Sequence, residues 1–323
     1  MLPNFEHERP SSVAQAVEAS SSEGAVLHAG GTDLLGCLRD GVFTAEKVVS
    51  LSGLDELRGI RATRDGGLRI GALTTLTEIA NDPLIAERYA ALSQAAALAA
   101  TPQLRNQGTI GGNICQRPRC WYFRGDWYCL RKGGNTCYAI AGENQFHCIF
   151  GGSGCYIVHP SDTAPALMAL GAGVRIASRS GTRLVPIDEF FILPADDIRR
   201  ENILQPGELV TEVVLPPIAA GTRSTYRKAR DRGAWDFALA GLAAVVSMDG
   251  DRVEQASLVL SGVAPKPWRA AGAEDALSGG PLDAENIARA AAASVEGAQP
   301  LEHNGYKVAL VRGLMEETLR ALA

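Results

Sequence analysis

Six of the chain's seven cysteines fall between positions 115 and 155, at 115, 120, 129, 137, 148 and 155; only Cys37 lies elsewhere. A segment this rich in thiols is not ordinary core, because cysteines used as small buried hydrophobes scatter over many elements. The stretch also holds seven glycines and eight aromatics. Arg117, Arg119, Arg124, Arg131 and Lys132 stand there against only Asp126 and Glu143. Thiolates, pliable backbone and compensating positive charge together predict a bound inorganic cofactor.

At 323 residues the chain has room for two or three domains, each with its own core. It therefore has little need of disulfide staples. A net charge of −5 and the absence of a basic run argue against a nucleic-acid partner. The N-terminal MLPNFEHERP has no apolar stretch or cleavage site of the secretory kind, so the chain is expected to lack its own export signal. Its longest apolar runs are too short to span a bilayer.

The pattern predicts a short helix over 11–20, capped by Ser11 or Ser12, then a strand over Ala25–Ala29 that runs into Gly30-Gly31-Thr32-Asp33 and a helix from Leu34. Short strands are expected at 48–51 and 68–71, and helices at 75–80 and 87–100. The polar stretch 101–113 reads as a loop. Ser161 or Asp162 is a natural cap for a helix over 164–170. Strands are expected at 174–177, 183–186 and 209–215, and Pro216-Pro217 marks a domain boundary. Beyond it, three strands (224–230, 237–247, 253–262) precede three helices, the order of a small α+β domain.

Two glycine-containing loops stand out. Gly30-Gly31-Thr32-Asp33 lies between a strand and a helix and offers backbone N–H groups to an anion. Thr109-Ile110-Gly111-Gly112-Asn113 is the second. Neither has the spacing of a dinucleotide fingerprint or a P-loop, and either could be a plain turn. Taken in order, residues 27–35, Leu104–Asn113, Pro160-Ser161-Asp162, Tyr226-Arg227-Lys228 and Ser261–Arg269 resemble the FAD-binding subunit of the molybdenum hydroxylases, a family that includes xanthine dehydrogenase, carbon monoxide dehydrogenase and aldehyde oxidoreductases.

That resemblance implies an α+β protein. A two-lobed FAD-binding domain would cover 1–217, with lobes of about 1–55 and 56–217, and a C-terminal domain with a three-stranded sheet and helices would cover 218–323. It implies that Leu27, His28, Ala29, Gly30, Gly31, Thr32, Asp33 and Leu34, with Thr109, Ile110, Gly111, Gly112 and Asn113, wrap the pyrophosphate and adenosine part of FAD, largely through backbone N–H groups. Asp162 would contact the ribityl or adenosine side, and Lys228 would lie near the isoalloxazine ring. Without the resemblance, Asp162 reads as a helix cap and Lys228 as a surface ion pair.

The cysteine segment, about 115–158, then reads as an insertion between two flavin loops. Its spacings contain no close CxxC pair of the kind structural zinc sites use, nor the ferredoxin run, so spacing alone leaves zinc and iron–sulfur open. Two branches of the family share such an insertion with a [4Fe–4S] cluster: periplasmic aldehyde oxidoreductases and 4-hydroxybenzoyl-CoA reductases. Gln116–Phe123 with Cys129, and Tyr226–Arg232, look most like the first. By that resemblance the ligands are Cys120, Cys129, Cys137 and Cys155, with Cys148 in reserve, His147 a further possible ligand and Cys115 a packing residue.

The implied role is electron transfer within a hetero-oligomer. A partner subunit would bear the molybdenum cofactor, where an aldehyde or heterocycle is oxidised, and another would bear two [2Fe–2S] centres. Electrons would reach FAD and leave to an external acceptor, with no side chain of this subunit acting as acid or base. The reverse direction, from a ferredoxin toward reduction of an aromatic thioester, is the alternative; a non-redox FAD- or zinc-binding module is a distant third. The compartment would be the periplasm, by export with a signal-bearing partner, or the cytoplasm.

Overall fold

The computed structural model describes residues 1–323. The chain opens with β1 (Glu6–Glu8), α1 (Val13–Ser20), β2 (Ala25–His28), α2 (Leu34–Arg39) and β3 (Lys47–Ser50). These build a three-stranded parallel sheet, β1-β3-β2, that ends at the first glycine loop. Ser12 caps α1 by accepting from Gln15 N–H, which leaves Ser11 outside the helix.

A second sheet follows, introduced by β4 (Ile60–Ala62) and β5 (Leu68–Gly71). Next come α3 (Leu76–Asn81), α4 (Pro83–Arg88), α5 (Ala90–Leu98), α6 (Pro102–Arg105), α7 (Ile110–Ile114) and α8 (Trp121–Arg124). Then α9 (Thr163–Ala169), β6 (Gly173–Ser178), β7 (Gly181–Pro186), α10 (Ile187–Phe190) and β8 (Leu209–Leu215) complete the region. Its five-stranded antiparallel sheet has the order β4-β5-β8-β6-β7. The main core lies between this sheet and α3, α5 and α9, around Ile70, Leu92, Leu167 and Val213.

The C-terminal part has β9 (Arg223–Ala229), β10 (Ala240–Asp249), β11 (Arg252–Ser261) and β12 (Trp268–Arg269), then α11 (Ala271–Leu277), α12 (Ala284–Ala293) and α13 (Tyr306–Arg320). Its antiparallel sheet, ordered β12-β11-β10-β9, has four strands rather than the expected three. After Pro265-Lys266-Pro267 the chain returns far enough for Trp268 to pair with Leu260. The expected strand 237–247 starts only at Ala240, since Trp235–Leu239 forms a loop.

Two further expectations change. The run 87–100 is broken at Tyr89, whose phenol leaves the helical path to donate to Pro216 C=O at 2.8 Å. The presumed loop 101–113 contains α6 and α7, capped by Thr101 and Thr109, with Pro102 in the first turn of α6. A threonine cap followed by proline is a helix-start signal visible in sequence.

The C-terminal domain also grips the cysteine segment. Gln299 N–H donates to Ile149 C=O, and His303 N–H to Asn144 Oδ1. Asn304 Nδ2 donates to the carbonyls of His147 and Cys148, both at 3.0 Å. Tyr306 donates to Gln145 C=O, and Lys307 Nζ to Phe146 C=O and Gly262 C=O. Burial pushes the Lys307 ammonium down to about 7. Residues 144–149 thus have a hydrogen-bonded partner at nearly every position, all from one short stretch of 299–307.

Candidate cofactor-binding site

The two glycine loops meet. A Cβ on Gly30 would lie 1.8 Å from Gln107 C=O, so only glycine allows this approach, and Gly31 has φ +72°, the left-handed region. Beside them opens a cleft of about 630 Å³. Its walls include Leu27, Ala29, Gly30, Gly31, Thr32, Asp33, Leu34, Thr109, Gly111, Gly112, Asn113 and Asp162. His28, Ile110 and Lys228 are not on its surface.

The loops differ in what they offer. None of the N–H groups of Gly30, Gly31, Thr32, Asp33 and Leu34 donates within the chain, which leaves five donors around one turn of the cleft wall. In the second loop the N–H groups are already engaged: Ile110 with Thr74 C=O, Gly111 with Ala72 C=O, Gly112 with Thr109 Oγ1 and Asn113 with Thr109 C=O. The expectation that residues 110–113 act through backbone N–H is therefore corrected. Ile110 is fully buried core, and a Cβ on Gly111 would strike Ala72 at 2.9 Å, so both pack the loop onto the second sheet. Gly112 is different, because a Cβ there would meet only Thr109 Oγ1, at 3.1 Å. Asn113 accepts from Ser161 Oγ (2.5 Å) and Thr163 Oγ1 (2.6 Å), which leaves its amide N–H₂ without a partner in the chain.

The Asp33 carboxylate has a further task, one the sequence did not suggest. Its carboxylate accepts from Arg117 N–H (2.7 Å) and pairs with Arg119 (3.0 Å) and Arg124 (2.7 Å). It anchors the cysteine segment to the first glycine loop. Arg124 also reaches Cys37 Sγ at 2.7 Å, and Cys37 packs with Phe123 and Cys129, so the one remote cysteine is a neighbour of the segment.

Asp162 stands at the N-cap position of α9, but its side chain makes no cap hydrogen bond. Ser161 Oγ accepts from Ala164 N–H, while Asp162 accepts from Lys228 Nζ at 2.8 Å and Tyr226 OH at 2.7 Å. Lys228 is fully buried, not a surface ion pair. Burial pushes the Asp162 carboxyl up, opposed by Lys228 and Tyr226. Because the residue just ahead of α9 supplies the acid and β9 the cation, the pair ties the two domains together beside the cleft; removing one partner of such a pair costs about 3–5 kcal/mol.

Two residues before Ser161, His159 is buried against Phe191. Burial pushes it down to about 4. The folded protein thus excludes a proton that the unfolded chain accepts at an ordinary pKa of about 6.5. Its contribution to stability is full above pH 6.5 and declines as pH falls toward 4, by a total of about 3 kcal/mol. Urea unfolding from about pH 7 to about pH 4 is expected to show this decline, and His159→Gln to flatten it; an unaltered acid slope in the variant would exclude His159 as the source.

Inside the segment, Cys120, Cys129, Cys137 and Cys155 line one small, mostly apolar pocket with Tyr122, Phe123, Arg131, Tyr138, His147 and Ile157. His147 Nε2 lies 3.3 Å from Cys120 Sγ. Cys148 is buried outside this pocket, and Cys115 lines the large cleft instead. Burial pushes the Cys120 and Cys115 thiols up to about 12, and the Cys148 and Cys155 thiols up as well. Such thiols become thiolates only when a cation is present to hold them. No three His, Cys, Asp or Glu side chains converge closely enough to share one metal ion. Four cysteines on one pocket are the donor set that a zinc ion or an iron–sulfur cluster uses.

The aromatics form the outer shell. Tyr122, Trp127 and Tyr138 stack edge and face at 4.9–6.0 Å between centroids. Arg117, Arg124 and Arg131 surround the Phe123 ring at 5.1, 5.9 and 6.0 Å. Glu201 was invisible as a functional residue in the sequence. It is buried and pairs with both Arg117 and Arg131.

Comparison with known proteins agrees with this layout. Residues 3–218 match the family described as the FAD binding domain in molybdopterin dehydrogenase, and 224–322 match the carbon monoxide dehydrogenase flavoprotein C-terminal domain. The chain is 37% identical to the aldehyde oxidoreductase FAD-binding subunit PaoB of Escherichia coli, over 98% of this chain and 97% of that one. It is 29% identical to the carbon monoxide dehydrogenase medium chain of Hydrogenophaga pseudoflava, over 99% and 97%. A solved carbon monoxide dehydrogenase from the same organism superposes with a TM-score of 0.80 at 29% identity, covering 100% of this chain and 98% of that one. No helix is long and apolar enough to cross a membrane. With an FAD-binding domain, the matching C-terminal domain and relatives of this kind over its whole length, the chain belongs to the FAD-binding subunits of the molybdenum hydroxylases, an oxidoreductase family.

Proposed function

We propose that this chain is the FAD and [4Fe–4S] electron-transfer subunit of an aldehyde-oxidising molybdenum enzyme, assembled with a molybdenum-cofactor subunit and a [2Fe–2S] subunit. The observation that carries the substrate class is the 37% identity with an aldehyde oxidoreductase FAD-binding subunit along 98% of the chain. FAD and the cluster supply the one- and two-electron chemistry when bound; the protein supplies position, shielding and charge.

In this reading the free N–H groups of Gly30–Leu34 hold the pyrophosphate, with Thr32, Thr109 and the Asn113 amide as side-chain donors. The bare surface of Gly112 lets the cofactor lie against the second loop. Asp162 and Lys228 fix the domain-facing end of the cleft, and Leu27, His28 and Ala29 position the loop from the end of β2. Cys120, Cys129, Cys137 and Cys155 hold the cluster, Phe123 and Tyr122 exclude water from it, and Asp33 fixes its distance from the flavin loop. Electrons come from a partner's molybdenum site through its [2Fe–2S] centres and leave from this subunit to an external acceptor.

The test is aldehyde-dependent bleaching of the flavin band near about 450 nm. It is expected in the purified complex and absent from this chain alone. Turnover by the isolated chain would overturn the division of labour, and a complex that reduces its flavin with no aldehyde tested would overturn the substrate class.

A further inference from the structure

Arg131 is a buried cation whose needs the chain does not meet. Its side chain is 1% exposed, it lies over the Phe123 ring, and its only ion-pair partner is the Glu201 carboxylate, through Nη2. Nε and Nη1 are both buried and bonded to nothing. Glu201 is shared, since its other oxygen pairs with Arg117 at 2.9 Å. Two guanidiniums thus share one carboxylate; Arg117 is 29% exposed and reaches solvent, whereas Arg131 does not. An uncompensated buried charge costs several kcal/mol, so a fold that keeps one supplies a counter-charge. The space Arg131 borders is the pocket of Cys120, Cys129, Cys137 and Cys155.

We propose that Arg131, held in place by Glu201, is the hydrogen-bond donor and counter-charge of the cluster in the four-cysteine pocket, and that it raises the cluster's reduction potential. The inference rests on the cluster reading above. A four-thiolate [4Fe–4S] centre is net negative in both oxidation states and more so when reduced. A fixed positive charge with two free N–H groups beside its sulfurs therefore favours the reduced form. A brace for the loop 129–137 would need only the Glu201 contact, and would leave the potential alone.

The experiment is a spectroscopic redox titration of the full complex, carrying Arg131→Met, Arg131→Gln or Arg131→Lys, with iron content and melting temperature measured in parallel. In the neutral variants the ratio of reduced to oxidised cluster at a fixed potential is expected to fall at least about tenfold, equivalent to about 59 mV for a one-electron couple. Arg131→Lys is expected to restore most of it, and the flavin potential to move less than the cluster's. An unchanged cluster potential in a neutral variant that keeps its iron would overturn the proposal, as would equal shifts at both centres. If both neutral variants lose iron, retention by the lysine variant supports the proposal and loss there overturns it. A wild-type complex without iron would remove the cluster reading itself, a result distinct from every variant outcome.

Discussion

Cys129→Ala is expected to reduce the iron content from about four per chain to near zero. Cys120→Ala, Cys137→Ala and Cys155→Ala should do the same, while Cys148→Ala leaves iron in place. The four line one pocket, and Cys148 lies outside it with its N–H bonded to Tyr156 C=O and its carbonyl to Asn304. Metal analysis alone would suffice, but the near-ultraviolet and visible spectrum adds a second criterion, since the iron–sulfur absorption should disappear while the flavin bands persist. Iron lost from Cys148→Ala but kept by Cys155→Ala would show that the ligand set has been misassigned.

The second large effect concerns the place where the two flavin loops touch. Gly30→Ala puts a methyl carbon inside the van der Waals radius of Gln107 C=O, and backbone cannot step aside as a flexible side chain would. The loops must separate, at a cost of about 3 kcal/mol, and the row of free N–H groups at Gly30–Leu34 loses its geometry. Purified protein is expected to contain almost no FAD and to melt well below wild type. Gly112→Ala separates binding from folding. Its added carbon touches only Thr109 Oγ1, so the melting temperature of the apoprotein should hold, while the methyl group on the cleft wall weakens FAD about tenfold, or ~1.4 kcal/mol. FAD content equal to wild type in both variants would remove the glycine loops from the binding site.

Much of this was legible in order along the chain. The glycine loops, the cysteine segment between them and Asp162 lie in readable motifs, and the expected N-terminal strands correspond to β2, β3, β5, β6, β7 and β8, whereas the short β1 and β4 and the division into two sheets were not read. What stayed hidden depends on contacts between distant residues. Asp33 looked like part of an anion cradle, yet its charge is used by three arginine donors 84 to 91 positions away. Glu201 stands in an unremarkable acidic stretch, and only folding sets it between Arg117 and Arg131. Without the resemblance Lys228 read as surface because a lone lysine on a strand usually is; its burial follows from the packing of β9 on α5 and its pairing with Asp162. Helices α6 and α7 are a different case, for Thr101-Pro102 and Thr109 announce them, and the glycines nearby masked the signal.

The grip of residues 299–307 on 144–149 sets a clock on assembly. Each bond in it joins groups roughly 150 to 161 positions apart, so during synthesis the cysteine segment leaves the ribosome long before its clasp. At translation rates of about 5–20 residues per second that interval lasts roughly ten to thirty seconds. For that time residues 144–149 lack the hydrogen-bond partners that 299–307 later bring to them. A chain that ends before Gln299 would keep all its cysteines and still leave the backbone of 144–149 without the partners that hold it in place.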